Sequence, residues 1–161
     1  MELPKRKQNR LKDYDYSTPN AYFITVCTHN RKNYFWMDVG AVIDRPDKVP
    51  LTPLGIMVRQ SVGDISRYYP MLSVDHFVIM PNHIHLLLQI HADIDGRSVS
   101  APTISTVVRM MKAAVSRQAG YSVWQKGFYD HVIRSGDDYQ AIWNYIEGNP
   151  SKWEEDTLYS C

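Results

Sequence analysis

Apolar residues along this chain recur at two different spacings, and the places where the spacing changes mark out its elements. Residues 21–28 read AYFITVCT, aromatic and β-branched, and follow the Pro19-Asn20 turn signal, which predicts a strand. Thr52 and Pro53 then supply an N-cap and a first-turn proline. Leu54, Val58, Val62 and Ile65 return at helical spacing, predicting a helix to about Arg67. The intervening residues 30–49 are mixed in character and predict no single element. Residues 72–80 (LSVDHFVIM) and 83–91 (HIHLLLQIH) are both strand-like and joined by Pro81-Asn82, the pattern of a hairpin. Beyond a polar loop at 92–102, Ile104, Val107, Val108, Met111 and Val115 predict a helix over 103–118 that ends at Gly120. Residues 128–134 (FYDHVIR) predict one more strand and 137–148 a last helix, with Ile142 and Ile146 on one face. The order β-α-β-β-α-β-α describes an α+β fold, a ferredoxin-like antiparallel sheet with helices packed on it.

Composition narrows the class. With 161 residues and 44% hydrophobic content, the chain fits one domain over 1–161, with a basic N-terminal arm at 1–13 and a C-terminal tail at 150–161. It has neither an apolar run of about 18 residues nor the apolar stretch of a signal peptide, so a cytosolic protein without membrane contact is expected. Cys27 and Cys161 offer no disulfide framework and no paired metal spacing. Net charge is only +1, which does not mark a nucleic-acid binder, but its distribution is uneven. Lys5, Arg6, Lys7, Arg10 and Lys12 crowd the start, a run that suits a phosphate backbone as well as it suits a solvated terminus.

Candidate chemistry lies in the second strand of the hairpin. Side chains alternate faces along a strand, so His83 and His85 project to one side while Ile84 points into the core. Two imidazoles placed in this way suit Mn²⁺ or Zn²⁺, and an ion with few protein ligands keeps positions open for water or substrate. Two half-buried histidines on a polar strand face fit the spacing as well.

The wider run Met80-Pro-Asn-His-Ile-His-Leu-Leu87 resembles the signature of HUH single-tyrosine transposases, in the form seen in the insertion-sequence-200-like and REP-associated branches. The resemblance extends to Tyr14-Asp15-Tyr16 with Tyr22 to Thr28, and to Phe128 to Arg134 with Tyr145-Ile-Glu-Gly-Asn-Pro150, so that it spans essentially the whole chain. It implies that Tyr145, on the last helix, is the nucleophile. It also implies that Asn149, one turn further on, completes a metal site with His83 and His85 around Mg²⁺ or Mn²⁺. Pro150 disfavours helical dihedrals at the residue before it, which also makes Asn149 readable as a plain helix stop. Tyr139 and Tyr129 are the alternative nucleophiles.

The implied chemistry is cleavage and rejoining of bacterial single-stranded DNA with hairpin or palindromic ends. It proceeds through a covalent 5′-phosphotyrosine and a free 3′ hydroxyl, without ATP. Arg109, Lys112 and Ser116, three or four apart on the second predicted helix, form either a phosphate-contacting face or a solvated one. By the same resemblance His131 and Arg134 lie beside the site. Tyr14, Tyr16 and Tyr22 suit base stacking, although core packing accounts for Tyr22 as well. Other functions compatible with the pattern are a non-catalytic or domesticated hairpin-binding protein and a zinc hydrolase using activated water. An RNA-recognition module is a further alternative, but its aromatic consensus is absent. The insertion-sequence branch works as homodimers, whereas REP-associated members can act as monomers, and the sequence leaves a homodimer open. The basic arm and the added Tyr14–Thr28 block place this chain nearer the second.

Overall fold

The computed structural model describes residues 11–37, 50–92 and 102–155. Lys5, Arg6, Lys7 and Arg10 of the basic arm lie outside the described residues. Four strands form one antiparallel sheet. Strand β1 (Ala21–Cys27) is flanked by β3 (His83–Ile90) and β4 (Tyr129–Val132), and β2 (Leu72–Ile79) pairs with the far side of β3. The resulting order β2-β3-β1-β4 is the ferredoxin-like arrangement expected from the element order.

Both faces of β1 and β3 are covered, which explains their near-continuous apolar sequences. Tyr22, Ile24 and Val26 of β1 and Ile84, Leu86, Leu88 and Ile90 of β3 enter the main core beneath α1 (Pro53–Gly63) and α3 (Ile104–Ala119). The opposite face carries a smaller cluster of Ala21, Phe23, Leu87 and Ile133, closed by Ile146 of α4 (Gly136–Gly148). His83 and His85 lie on this second face.

The helix ends follow the capping residues. Thr52 Oγ1 accepts from Gly55 N at 3.1 Å, Thr103 Oγ1 from Thr106 N at 3.3 Å and Ser135 Oγ from Asp138 N at 3.1 Å. Gly120 ends α3 at φ +82°, a conformation favoured by glycine. The helix expected to run to Arg67 breaks at Asp64, with α2 (Ile65–Tyr68) following as a separate turn. The segment left unassigned begins with a 3-10 turn at His29–Arg31 and includes a bridge from Trp36 to Leu51. Part of the expected tail, Pro150–Glu155, folds as a 3-10 helix. No helix among the described residues is long and apolar enough to cross a membrane.

One irregularity positions α4. The β2–β3 register shifts between Val74 and His76, so Asp75 is an inserted residue. A bulge of this kind re-aims side chains, and here consecutive residues both reach α4. Asp75 Oδ2 accepts from the Tyr139 hydroxyl at 2.7 Å, while His76 Nε2 lies 2.6 Å from Glu147 Oε2 and its ring packs on Trp143. These contacts hold the helix over β2 and β3.

Candidate active site

The strand alternation places His83 and His85 side by side, with exposures of 0% and 3%. Their Nε2 atoms are 3.1 Å apart. Two nitrogens bound to one ion at ~2.0–2.1 Å and roughly 90–110° apart are separated by about 2.9–3.4 Å, so this spacing suits two ligands of one cation. The remaining ring nitrogens are tied back into the protein. His83 Nδ1 donates to Asn82 Oδ1 at 2.8 Å, and the Asn82 amide nitrogen donates to Arg31 O. His85 Nδ1 meets Thr25 Oγ1 at 2.8 Å, across the β1–β3 pairing that sets Thr25 opposite His85. Ring partners of this kind orient metal-binding imidazoles. Burial, and then the neighbouring His83, hold His85 well below the ordinary imidazole value of 6.5, so its ring is uncharged at neutral pH.

Tyr145 lies over this pair. Its ring centroid is 5.4 Å from that of His85 and 6.0 Å from that of Phe23, both edge-on, and Phe23 itself stacks on His85 at 5.1 Å. The tyrosine is 46% exposed, so its ring stands at the rim of a buried site. One turn further on is Asn149, 4% exposed, whose Oδ1 has no hydrogen-bond partner among the described residues. Beyond it Trp153 packs 5.9 Å from His83. Asn149 is therefore bracketed by residues that touch the two histidines. Pro150 does not unwind it: Asn149 keeps φ −61° and ψ −43°. The proline opens the 3-10 segment, a position where its missing N–H leaves no bond unmade.

A buried amide oxygen without a partner costs about 1–3 kcal/mol, and native structures rarely carry one without a reason. No group of three or more His, Cys, Asp or Glu side chains among the described residues is placed to hold a metal. Two imidazole nitrogens and an amide oxygen are a donor set that fits a divalent cation retaining open positions.

The other sequence candidates have separate surroundings. Tyr139 is bonded to Asp75, and Tyr129 is 58% exposed on β4 in the row that contains Thr25. Lys112 does not stand free on an outer helix face, because its ammonium donates to Gln125 O and Gly127 O, both at 2.8 Å, and ties down that loop. Burial lowers its pKa. Arg109 is exposed. His131 Nε2 meets Asp138 Oδ2 at 2.8 Å, a bond that, with the Arg134 N–H, lowers the Asp138 pKa. Arg134 lines a separate cleft of about 700 Å³ with Asn20, His91 and Tyr139, and none of His83, His85, Tyr145 or Asn149 borders it. Tyr14, Tyr16 and Tyr22 pack on one another, and burial raises the Tyr22 pKa. Thr25, Asn82 and Trp153 were not among the sequence candidates. Thr25 carries one of three hydroxyls, with Tyr22 and Thr28, in the predicted strand 21–28, and its spacing alone does not single it out.

No protein-family model matches the chain. It is 35% identical to an uncharacterized protein of Haemophilus influenzae over 96% of this chain and 93% of the relative. It is 25% identical to a REP-associated tyrosine transposase of Escherichia coli K12, covering 85% of this chain and 70% of that protein. Among solved structures, it superimposes with a TM-score of 0.64 on a REP-associated tyrosine transposase bound to a REP hairpin. The sequence identity there is 22%, over 89% of this chain and 73% of that one.

Proposed function

The chain belongs to the REP-associated tyrosine transposases, and from that premise we propose that it cuts and rejoins single-stranded DNA beside a hairpin, with Tyr145 as nucleophile. The observation that carries this reading is the placement of the Tyr145 ring 5.4 Å from His85, above the buried histidine pair. His83, His85 and Asn149 would hold a divalent cation, Mg²⁺ or Mn²⁺. When bound, the cation supplies positive charge to the non-bridging oxygens of a phosphodiester.

The chain's own residues perform the exchange. Tyr145 Oη forms a bond to phosphorus as the bond from phosphorus to the 3′ oxygen breaks. The phenolic proton is lost, and the departing 3′ oxygen gains one. A phenol releases its proton near pH ~10 in water, so deprotonation has to accompany attack at neutral pH. The product keeps the 5′ phosphate on Tyr145 and frees a 3′ hydroxyl, which can reverse the step and rejoin strands without ATP. Phe23 and His85 hold the phenol ring edge-on, limiting its motion before attack.

Tyr145 lies over His85 of its own chain, so one copy contains the whole site and helix exchange in a dimer is not required. Hairpin DNA is the proposed substrate because the superimposed relative is bound to a REP hairpin. Arg109, Arg117, Arg59 and Arg67 are exposed on α1, α2 and α3, and those helices contain no acidic residue, which favours phosphate contact by that layer. His131 on β4 and Arg134 just beyond its end, and Lys5, Arg6, Lys7 and Arg10 of the arm, are proposed to add contacts; Lys112 has one N–H left for the same use.

Labelled single-stranded hairpin DNA incubated with Mn²⁺ tests the reading. The expected product is a denaturation-resistant protein–DNA species that requires the cation and is lost in Tyr145→Phe. Cleavage that persists in Tyr145→Phe without such a species would replace this reading with a water-using hydrolase.

A further inference from the structure

Strand β4 carries an aromatic ring that stands open. Tyr129 is directly opposite Thr25, and Thr25 is directly opposite His85, so the three side chains form one row across β4, β1 and β3. Directly opposed residues of antiparallel strands project to the same face, which puts Tyr129 on the face of the histidine pair. Its neighbours along β4 agree with this: Asp130 lies opposite Ile24 of the main core, and His131 opposite Phe23 of the smaller cluster. Along the row, exposure rises from 3% at His85 to 8% at Thr25 and 58% at Tyr129. The cause is the path of α4. Its first turn meets β4 at Asp138 and His131, and its last turn lies over β2, where Glu147 meets His76. The helix thus crosses away from the end of β4 that bears Tyr129. No hydrogen bond, ion pair or ring contact ties the Tyr129 side chain to another described residue.

Neighbouring strands are about 4.8 Å apart, so two steps put the Tyr129 backbone about 10 Å from that of His85. The ring therefore stands beside the histidine pair and not over it, a place for a base and not for the phosphate under attack. An exposed aromatic face suits the π-face of a nucleobase, because unpaired bases are held by stacking on aromatic side chains. We propose that Tyr129 is a substrate-positioning residue, stacking on an unpaired nucleobase beside the scissile phosphate and so holding the strand over the histidine pair. Stacking uses the ring and not the hydroxyl. Every base has a π-face, so Tyr129 fixes where the strand lies without selecting its sequence. This inference rests on the proposed DNA cleavage by Tyr145.

The test uses the full chain and the hairpin oligonucleotide that forms the protein–DNA adduct, with each base flanking the mapped cleavage position replaced in turn by an abasic site. Adduct formation with Mn²⁺ is followed against DNA concentration. Tyr129→Ala should raise the half-saturating concentration about 10-fold, and Tyr129→Phe, which keeps the ring, should restore it. One of the abasic strands should weaken wild type by about the same factor and Tyr129→Ala by nothing further, because base and ring are the two halves of one contact. Wild type indifferent to every flanking abasic site, or a Tyr129→Ala defect that stays undiminished on all of them, would overturn the stacking role while leaving the nuclease reading standing. Tyr129→Ala equal to wild type on the intact strand would do the same. No adduct from wild type would overturn the nuclease reading and this inference with it.

Discussion

Tyr139 donates its hydroxyl hydrogen to Asp75 Oδ2 across 2.7 Å, linking α4 to the bulge in β2. Burial first, and then this bond, push its phenol up to about 12. A phenol held protonated is a poor nucleophile, and this hydroxyl is committed to Asp75. Tyr139→Phe should therefore keep forming the DNA adduct. It should lose about 1–3 kcal/mol of stability, because Asp75 loses a donor. The pH dependence has a definite sign. The unfolded tyrosine releases its proton near 10.0 and the folded one near 12, so in that window the native protein binds more protons and stability falls as pH rises. Urea unfolding across this window should show a shallower fall in Tyr139→Phe.

Asn149 tests the third metal ligand through stability and binding together. Its Oδ1 is buried without a partner among the described residues, so removing it takes away a burden on the fold. Asn149→Leu, similar in size, should melt no lower than wild type in the absence of added metal while binding Mn²⁺ at least about 10-fold more weakly. A variant that melts lower and binds Mn²⁺ normally would show that the amide has only a structural role.

The proposed site lies within one chain, which makes a prediction about mixtures. Tyr145→Phe and a His83→Ala, His85→Ala double variant should both be inactive, and mixing them should restore nothing, because Tyr145 lies over the histidines of its own chain. Recovered cleavage in the mixture would mean that the nucleophile and the metal ligands act from different copies.

Arg109 is exposed on α3, a helix with Arg117 and Lys112 and no acidic residue. Arg109→Ala should weaken hairpin binding, measured by titration at several salt concentrations, and lower the salt slope by about one. The rate of adduct formation at saturating DNA should be unchanged, since the side chain lies on the layer opposite α4.

Much of this arrangement was legible in the chain. The histidine alternation depends only on the period of a strand, and the Thr52 cap followed by Pro53 is a local signal. What escaped depends on register or tertiary contact. Thr25 acquires its meaning only when β1 pairs with β3 and sets it opposite His85. Asp75 looks like an ordinary polar strand residue until the bulge turns it to α4. Lys112 sits at a helical spacing that suits phosphates, but a folded loop supplies carbonyls for its ammonium. The local rule for a residue before proline argued against a helical Asn149, and the 3-10 continuation of the chain overrode it.

The central claim is that Tyr145 is the residue that becomes joined to DNA. Its most direct test is to trap the adduct with Mn²⁺ and single-stranded hairpin DNA, digest the protein and identify the modified peptide by mass spectrometry. This account predicts one nucleotide-bearing peptide, with the phosphate on Tyr145. A phosphate on Tyr139, Tyr129 or any other residue would contradict it.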